Sequence, residues 1–220
     1  MLVLLGPPGA GKGTQSRVLS GAFGIPHIAT GDLFRAEARA GTALGVRARG
    51  YMERGELVPD AITIDLLLDR LARPDAADGA ILDGFPRTAL QAAALDVALA
   101  LRGPGVDEAL LIEVGPEELV RRLSSRWICS ADGGHVYNVI TLPPRVPGRC
   151  DIDAAPLVQR ADDTPETVRA RLAAQLGALA DVVAHYAARG LLRVVDGELP
   201  VEDVSRALLA AVRPLMRGRA

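Results

Sequence analysis

Among the 25 basic residues of this 220-residue chain, only Lys12 is a lysine; every other one is an arginine. Lys12 sits in the run Gly6-Pro7-Pro8-Gly9-Ala10-Gly11-Lys12-Gly13-Thr14, which has the G-x-x-x-x-G-K spacing of a phosphate-binding loop. The glycines let the backbone curl so that successive N–H groups face inward at phosphate oxygens. An ammonium on a flexible stem meets such a phosphate as a point charge, whereas a guanidinium asks for a flat two-oxygen partner. A glycine-rich turn without a ligand is the bland alternative. An apolar strand before the run and a helix after it favour the phosphate reading, because a helix N-terminus adds partial positive charge. The usual pattern continues with Ser or Thr, whose hydroxyl binds magnesium, but here Gly13 follows and Thr14 comes one place later. Magnesium at this loop is therefore expected to be held by phosphate oxygens and water, which suits its reluctance to dehydrate.

The elements that must position this loop read as alternating strands and helices. Apolar runs at 2–5, 80–82, 109–114 and 191–195 and a short run at 26–28 predict buried strands. Helical patterns are expected over 12–22, 61–71, 89–101, 116–123 and 165–188. This order predicts an α/β fold: a doubly wound parallel sheet with helices on both faces. Two stretches break the rhythm. Residues 30–58 read as helical but polar and arginine-rich, punctuated by Gly41, Gly45, Gly50 and Gly55. Residues 126–160 hold Gly133-Gly134, Pro143-Pro144, Pro147-Gly148 and both cysteines, and read as a small β-rich insertion.

Composition narrows the classes. Hydrophobic residues are 49% and charged residues 24%, an ordinary globular balance. A formal net charge of -2 and an aromatic content of 3% disfavour a nucleic-acid partner. No apolar run approaches the roughly 18 residues of a membrane helix, and Leu2–Leu5 follows no basic segment, so neither membrane nor secretion is expected. Two cysteines make no disulfide scaffold. A cytoplasmic protein is expected.

Further stretches complete a pattern: Thr30-Gly31-Asp32-Leu33-Phe34-Arg35; Asp83-Gly84-Phe85-Pro86-Arg87-Thr88 with Gln91; Arg122 and Arg126; and Arg160-Ala161-Asp162-Asp163 with Arg171. With the glycine loop, and in this order, they make the chain similar to the adenylate kinases among the nucleoside monophosphate kinases. The likeness runs from Leu2 to about Val195. It implies one kinase domain over 1–220, with an AMP-binding insertion at 30–58 and a lid at 126–162 like that of the long bacterial form. It also implies the reaction ATP + AMP = 2 ADP, with MgATP as donor, AMP, ATP and ADP as small-molecule partners, and a monomer.

Roles follow from the resemblance position by position. Lys12, Arg87, Arg126, Arg160 and Arg171 would stabilise the transferred phosphoryl group. Gly9, Ala10, Gly11, Lys12, Gly13 and Thr14 would cradle ATP. Arg122 would stack on its adenine, beside Arg126, Val136, Tyr137 and Leu199. Thr30, Arg35, Glu56, Leu57, Val58, Gly84, Arg87, Gln91, Arg160 and Arg171 would form the AMP site, Gln91 offering its amide to the base. Glu56 stands where the family often has lysine. Asp83 would orient water around magnesium, with a turn-forming aspartate as the alternative. Arg35 and Arg171 lie on expected helices and could be solvated surface; Arg126 and Arg160 could be hinge charges. Asp162 and Asp163 could orient Arg126 and Arg160. The attacking group would be an AMP phosphate oxygen, already largely dianionic at neutral pH, so no catalytic base is required.

Both cysteines fall in the lid, as Cys129-x-x-Asp132 and Cys150-x-x-Asp153. Zinc-bearing lids of this family carry Cys at these places, or Cys with one Asp, at the spacing of a tetrahedral structural site. The second Asp, Asp132, departs from that pattern. Zinc on Cys129, Asp132, Cys150 and Asp153, a metal-free hydrogen-bonded cluster and a Cys129–Cys150 disulfide all remain open, and His135 is a nearby substitute ligand. The rival functions are a UMP/CMP or GMP kinase and, in a different class, a P-loop ATPase or nucleotide switch. The last would want Ser or Thr at Gly13 and has no use for arginines spread over both insertions.

Overall fold

Leu2–Leu5 (β1) is buried along its whole length. Its side chains alternate between two helical layers, so both strand faces must be apolar. Val3 and Leu5 pack with Leu67, Leu95 and Tyr186, whereas Leu2 and Leu4 pack with Leu19, Leu119 and Leu208. A computed structural model describes residues 1–101, 105–132, 135–160 and 163–217, with side chains as far as 214.

After β1 come α1 (Lys12–Phe23), β2 (His27–Ala29), α2 (Thr30–Arg39), α3 (Ala43–Glu53), α4 (Asp60–Leu71), β3 (Ile81–Asp83), α5 (Ala89–Ala100) and β4 (Glu108–Glu113). Then follow α6 (Pro116–Ser124), β5 (Arg126–Cys129), β6 (Val136–Asn138), β7 (Leu157–Val158), α7 (Pro165–Ala187), β8 (Leu192–Asp196) and α8 (Val201–Arg217). The main sheet has the order β2-β3-β1-β4-β8, with every neighbouring pair parallel. The expected α/β architecture is therefore present, with strand limits displaced by about one residue. The sheet's register brings Leu4 level with Asp83, and Asp83 level with Ala29. The C-terminal ends of β1, β2 and β3 thus open on one edge, where ligands of such sheets bind.

One long helix escaped the sequence reading. α8 covers the second face of the sheet through Val204, Leu208 and Val212. Their four-residue spacing is the helical period, but the segment lies beyond the last motif and carries Pro214 inside it.

The two irregular stretches differ in build. Residues 30–58 contain α2 and α3, which close on Phe34, Ala48 and Val58. The later stretch forms an antiparallel sheet of order β6-β5-β7, centred on Cys129, Tyr137, Cys150 and Leu157.

Candidate active site

The loop after β1 is shaped by its glycines. Gly11 has φ 95°, a left-handed conformation that favours glycine, and its carbonyl starts α1 by accepting from Thr14 and Gln15 N–H. The ammonium of Lys12 curls back over the loop and donates to the carbonyls of Gly6 at 2.8 Å and Pro7 at 2.9 Å. Burial pulls the Lys12 pKa down to about 8; Asp83 opposes that fall, and Arg87, Arg171 and Arg126 add to it. The loop is thus a ready anion site, and a bound phosphate would relieve the crowding of cations.

Asp83 ends β3 beside this loop, and its Oδ2 lies 3.2 Å from His27 Nε2. Burial raises the Asp83 carboxyl, but the His27 hydrogen bond and the charges of Lys12, His27 and Arg87 outweigh it and hold the pKa below the usual carboxylate value. Asp83 is therefore ionised at neutral pH. A Cβ at Gly13 would stand 3.5 Å from Asp83 Oδ2, so the space where a loop hydroxyl would project is shared with this carboxylate. A water-borne magnesium fits the donors present: an ionised carboxylate faces a loop without the usual hydroxyl.

One cavity of about 770 Å³ runs over the loop, the sheet edge, the 30–58 stretch and the near side of the small sheet. Every residue assigned above to ATP, AMP or phosphoryl transfer lines it, including Val136 and Leu199. Asp163 is fully buried; it takes a bidentate grip from Arg126, Nε at 2.8 Å and Nη2 at 2.6 Å, and lies 3.5 Å from Arg171 Nη1. Arg87 donates through Nε to Gly84 O at 2.8 Å and through Nη1 to Gln175 Oε1 at 3.4 Å. Arg35 rests on Asp32 at 2.5 Å. Arg122 and Arg121 share Glu118, whose pKa the Arg121 hydrogen bond, against burial and with help from Arg122, pulls down to about 2. Asp162, the other carboxylate weighed for orienting arginines, lies outside the described residues.

Glu56 does not bring its charge to the cavity alone. Arg54 holds its carboxylate with paired hydrogen bonds of 3.0 and 2.7 Å, and that contact lowers the Glu56 pKa. Gln91 is 1% exposed, its amide held by Asp60 and by the backbone of Arg87. Tyr137 lines the cavity but turns its hydroxyl away into the small sheet, donating to Cys150 Sγ at 3.4 Å and accepting from Asp151 N–H at 2.7 Å.

The sequence reading did not single out His27, Asp60, Glu118 or Gln175. Gln175 donates to Gly55 O at 3.0 Å while accepting from Arg87, so one amide touches a cavity arginine and the end of the 30–58 stretch. Gly55 has φ 75°, and a Cβ there would meet Arg171 Cγ at 2.4 Å. The signal for Gln175 was its polar amide at a core-facing position of α7, four residues after Arg171.

The metal candidates need one correction. The donors that cluster are Cys129, His135, Cys150 and Asp153, mutually within 4.8 Å; Asp132 is not among them. Asp132 instead faces the other side of the His135 ring, with Oδ2 3.4 Å from Nε2. Cys129 N–H bonds the His135 carbonyl, and the His135 imidazole faces the cluster. Cys150 Sγ lies 3.4 Å from His135 Nδ1, and Cys129 Sγ lies 3.2 Å from Asp153 Oδ2. Tetrahedral zinc spaces its donors by roughly 3.3–3.8 Å; the two contacts lie near that spacing, within a set that extends to 4.8 Å. Both thiols are free, without a disulfide between them.

Comparison with known proteins agrees with this geometry. The family model described as adenylate kinase matches residues 4–191. The adenylate kinase of Exiguobacterium sibiricum is 50% identical over 203 residues, covering 92% of this chain and 94% of that protein. That of Moorella thermoacetica is 48% identical over 216 residues, 98% of each chain. That of Streptomyces avermitilis is 45% identical over 212 residues, 96% of each. Likeness of this extent, on a chain whose glycine loop and arginines meet in one cavity, shows that it belongs to the adenylate kinase family.

Proposed function

We propose that this chain transfers the γ-phosphoryl group of ATP to AMP, giving two ADP, and reverses the reaction. The observation that carries this reading is the convergence of Lys12, Arg87, Arg126, Arg160 and Arg171 on one cavity from separate elements. A phosphate monoester is a dianion above its second pKa near 6, so the AMP oxygen attacks without a base. What the protein must supply is in-line placement of anions carrying roughly -6 in total and compensation of that charge. Lys12 reaches the β- and γ-phosphates, and the arginine forks grip the moving phosphoryl oxygens bidentately. Asp83 would hold magnesium through water, and the ion would supply charge that offsets the donor phosphates. Arg35, Thr30 and Gln91 hold AMP, with Gly84 and the backbone of Leu57 and Val58; Arg122, Val136, Tyr137 and Leu199 hold the ATP base.

Residues 30–58 serve as the AMP-binding insertion and 126–162 as the lid, within one kinase domain over 1–220. The lid closes over the phosphates and excludes water that would intercept the phosphoryl group. Cys129, His135, Cys150 and Asp153 would hold a structural zinc ion in it, and Asp132 would orient His135 from behind, as carboxylates do for metal-bound imidazoles. No described helix is long and apolar enough to cross a membrane, and the enzyme works in the cytoplasm as a monomer, on nucleotides and not nucleic acid.

A coupled assay with ATP and each of AMP, UMP, CMP and GMP tests the reaction. ADP formation with AMP, abolished in Lys12→Met, is expected. ATP consumption independent of AMP would favour a hydrolase instead. Metal analysis after purification without chelators tests the lid: about one zinc per chain is expected, and less than about a tenth of one would overturn the metal reading.

A further inference from the structure

Asp60 is the first residue of α4, and its carboxylate stands behind the cavity wall. Oδ1 accepts from Gln91 Nε2 at 2.7 Å, and Oδ2 accepts from Thr88 Oγ1 at 2.9 Å. Thr88 Oγ1 in turn caps α5 by accepting the Gln91 backbone N–H at 3.2 Å. The other end of the Gln91 amide is held as well: Oε1 accepts the Arg87 N–H at 2.8 Å.

A free glutamine amide can turn over and exchange its donor and acceptor ends. Here it cannot. A carboxylate only accepts and a backbone N–H only donates, so the reversed amide would set oxygen against oxygen at Asp60 and N–H against N–H at Arg87. Gln91 retains one unused N–H and one unused lone pair, and it lines the cavity. That is an acceptor and a donor side by side in one fixed order. The edge of adenine presents an amino donor at C6 beside the N1 acceptor, the complement of that order. Hypoxanthine has nearly the same outline but presents an acceptor at C6 beside an N1–H donor, which mismatches at both places.

We propose that Asp60 is a positioning residue that sets the acceptor base of this kinase: by locking the Gln91 amide it selects 6-amino purine nucleotides over 6-oxo ones. This rests on the reading of Gln91 as the residue that meets the base. Buried polar groups left unpaired by a wrong ligand are a strong source of discrimination, larger than shape alone provides. A carboxylate that merely tied α4 to α5 would affect stability and overall rate, not the preference between two bases of one shape.

The test measures kcat/KM for AMP and for IMP, with ATP as donor, in the intact enzyme and in Asp60→Ala, Asp60→Ser, Asp60→Asn and Gln91→Leu. Asp60→Ala and Asp60→Ser are expected to lower the AMP:IMP ratio by about tenfold or more, mainly through KM for the monophosphate, with KM for ATP within about twofold. Asp60→Asn is expected to keep the ratio, since its oxygen still accepts from Gln91 while its amide donates to Thr88 Oγ1. Gln91→Leu loses the ratio, and adding Asp60→Ala to it lowers the ratio no further. A folded Asp60→Ala or Asp60→Ser enzyme with the parental ratio, beside a Gln91→Leu enzyme that has lost it, would overturn the locking role. An Asp60→Asn enzyme that behaves like Asp60→Ala would also overturn it. A Gln91→Leu enzyme with the parental ratio would instead overturn the reading of Gln91 itself.

Discussion

The 30–58 insertion and the lid present arginines to the same cavity, yet those arginines are held by unlike partners. The insertion closes on an apolar cluster, Phe34, Ala48 and Val58, and parks Arg35 on Asp32, whose side chain is 54% exposed. The lid closes on Cys129, Tyr137, Cys150 and Leu157, and its first residue, Arg126, grips Asp163 just beyond it, whose side chain is 0% exposed. An apolar cluster loses stability in proportion to the atoms removed. A buried polar cluster is stable only while each member is paired, and removing one partner leaves the rest stranded. The lid side should therefore fail abruptly and the insertion by degrees.

The largest break should come at Asp163. Asp163→Ala leaves Arg126 and Arg171 without their shared carboxylate, and is expected to cost about 3–4 kcal/mol of unfolding free energy. The same change should lower kcat by about a hundredfold, because both forks lose their aim. Denaturant unfolding and steady-state kinetics read the two effects. Phe34→Ala, at a residue 4% exposed, is expected to cost about 3 kcal/mol. Its kinetic effect should fall on KM for AMP and spare KM for ATP; equal rises in both would erase the distinction between the two arms.

Lys12, in the cavity that both arms line, sharpens the comparison in the other direction. Its pKa falls from 10.5 to about 8 because burial, against the pull of Asp83 and with the push of Arg87, Arg171 and Arg126, disfavours its charge. The unfolded chain binds the extra proton between about pH 8 and pH 10.5, so this penalty is complete below pH 8 and is relieved as the pH rises through that window. Lys12→Met should thus be inactive, yet more stable without nucleotide by about 2 kcal/mol at pH 7. That gain should shrink toward pH 10 in thermal unfolding. Binding of ATP above pH 8 should draw a proton onto Lys12, visible in calorimetry as a dependence on buffer ionisation enthalpy. The smallest effect is expected at Asp32→Ala: under about 1 kcal/mol, as for other exposed pairs. A loss there matching that of Asp163→Ala would refute the contrast between the arms.

Much of the cavity was legible in the sequence because phosphate chemistry constrains residue type tightly. The glycine loop, Asp83 and the arginines announce themselves by kind and spacing, and all of them line the cavity. The residues behind them did not. His27 gains meaning only when β2 pairs with β3 and brings its ring to Asp83. Asp60 and Gln91 are neighbours across a gap of 31 positions, and Gln175 reaches Gly55 across 120. The lid donors show the same limit at short range. Spacing alone proposed Asp132, but the backbone bond between Cys129 and His135 brings His135 to the cluster and leaves Asp132 on the far side of its ring.

By itself the sequence determined which residues line the cavity and which elements carry them, since local glycine geometry, strand periodicity and charge type act over a few residues. Only the tertiary structure decided which carboxylate holds which arginine, which way the Gln91 amide points, and which side chains complete the lid cluster. Those choices depend on atoms brought within hydrogen-bonding distance by sheet register and helix packing, and no one-dimensional spacing encodes that.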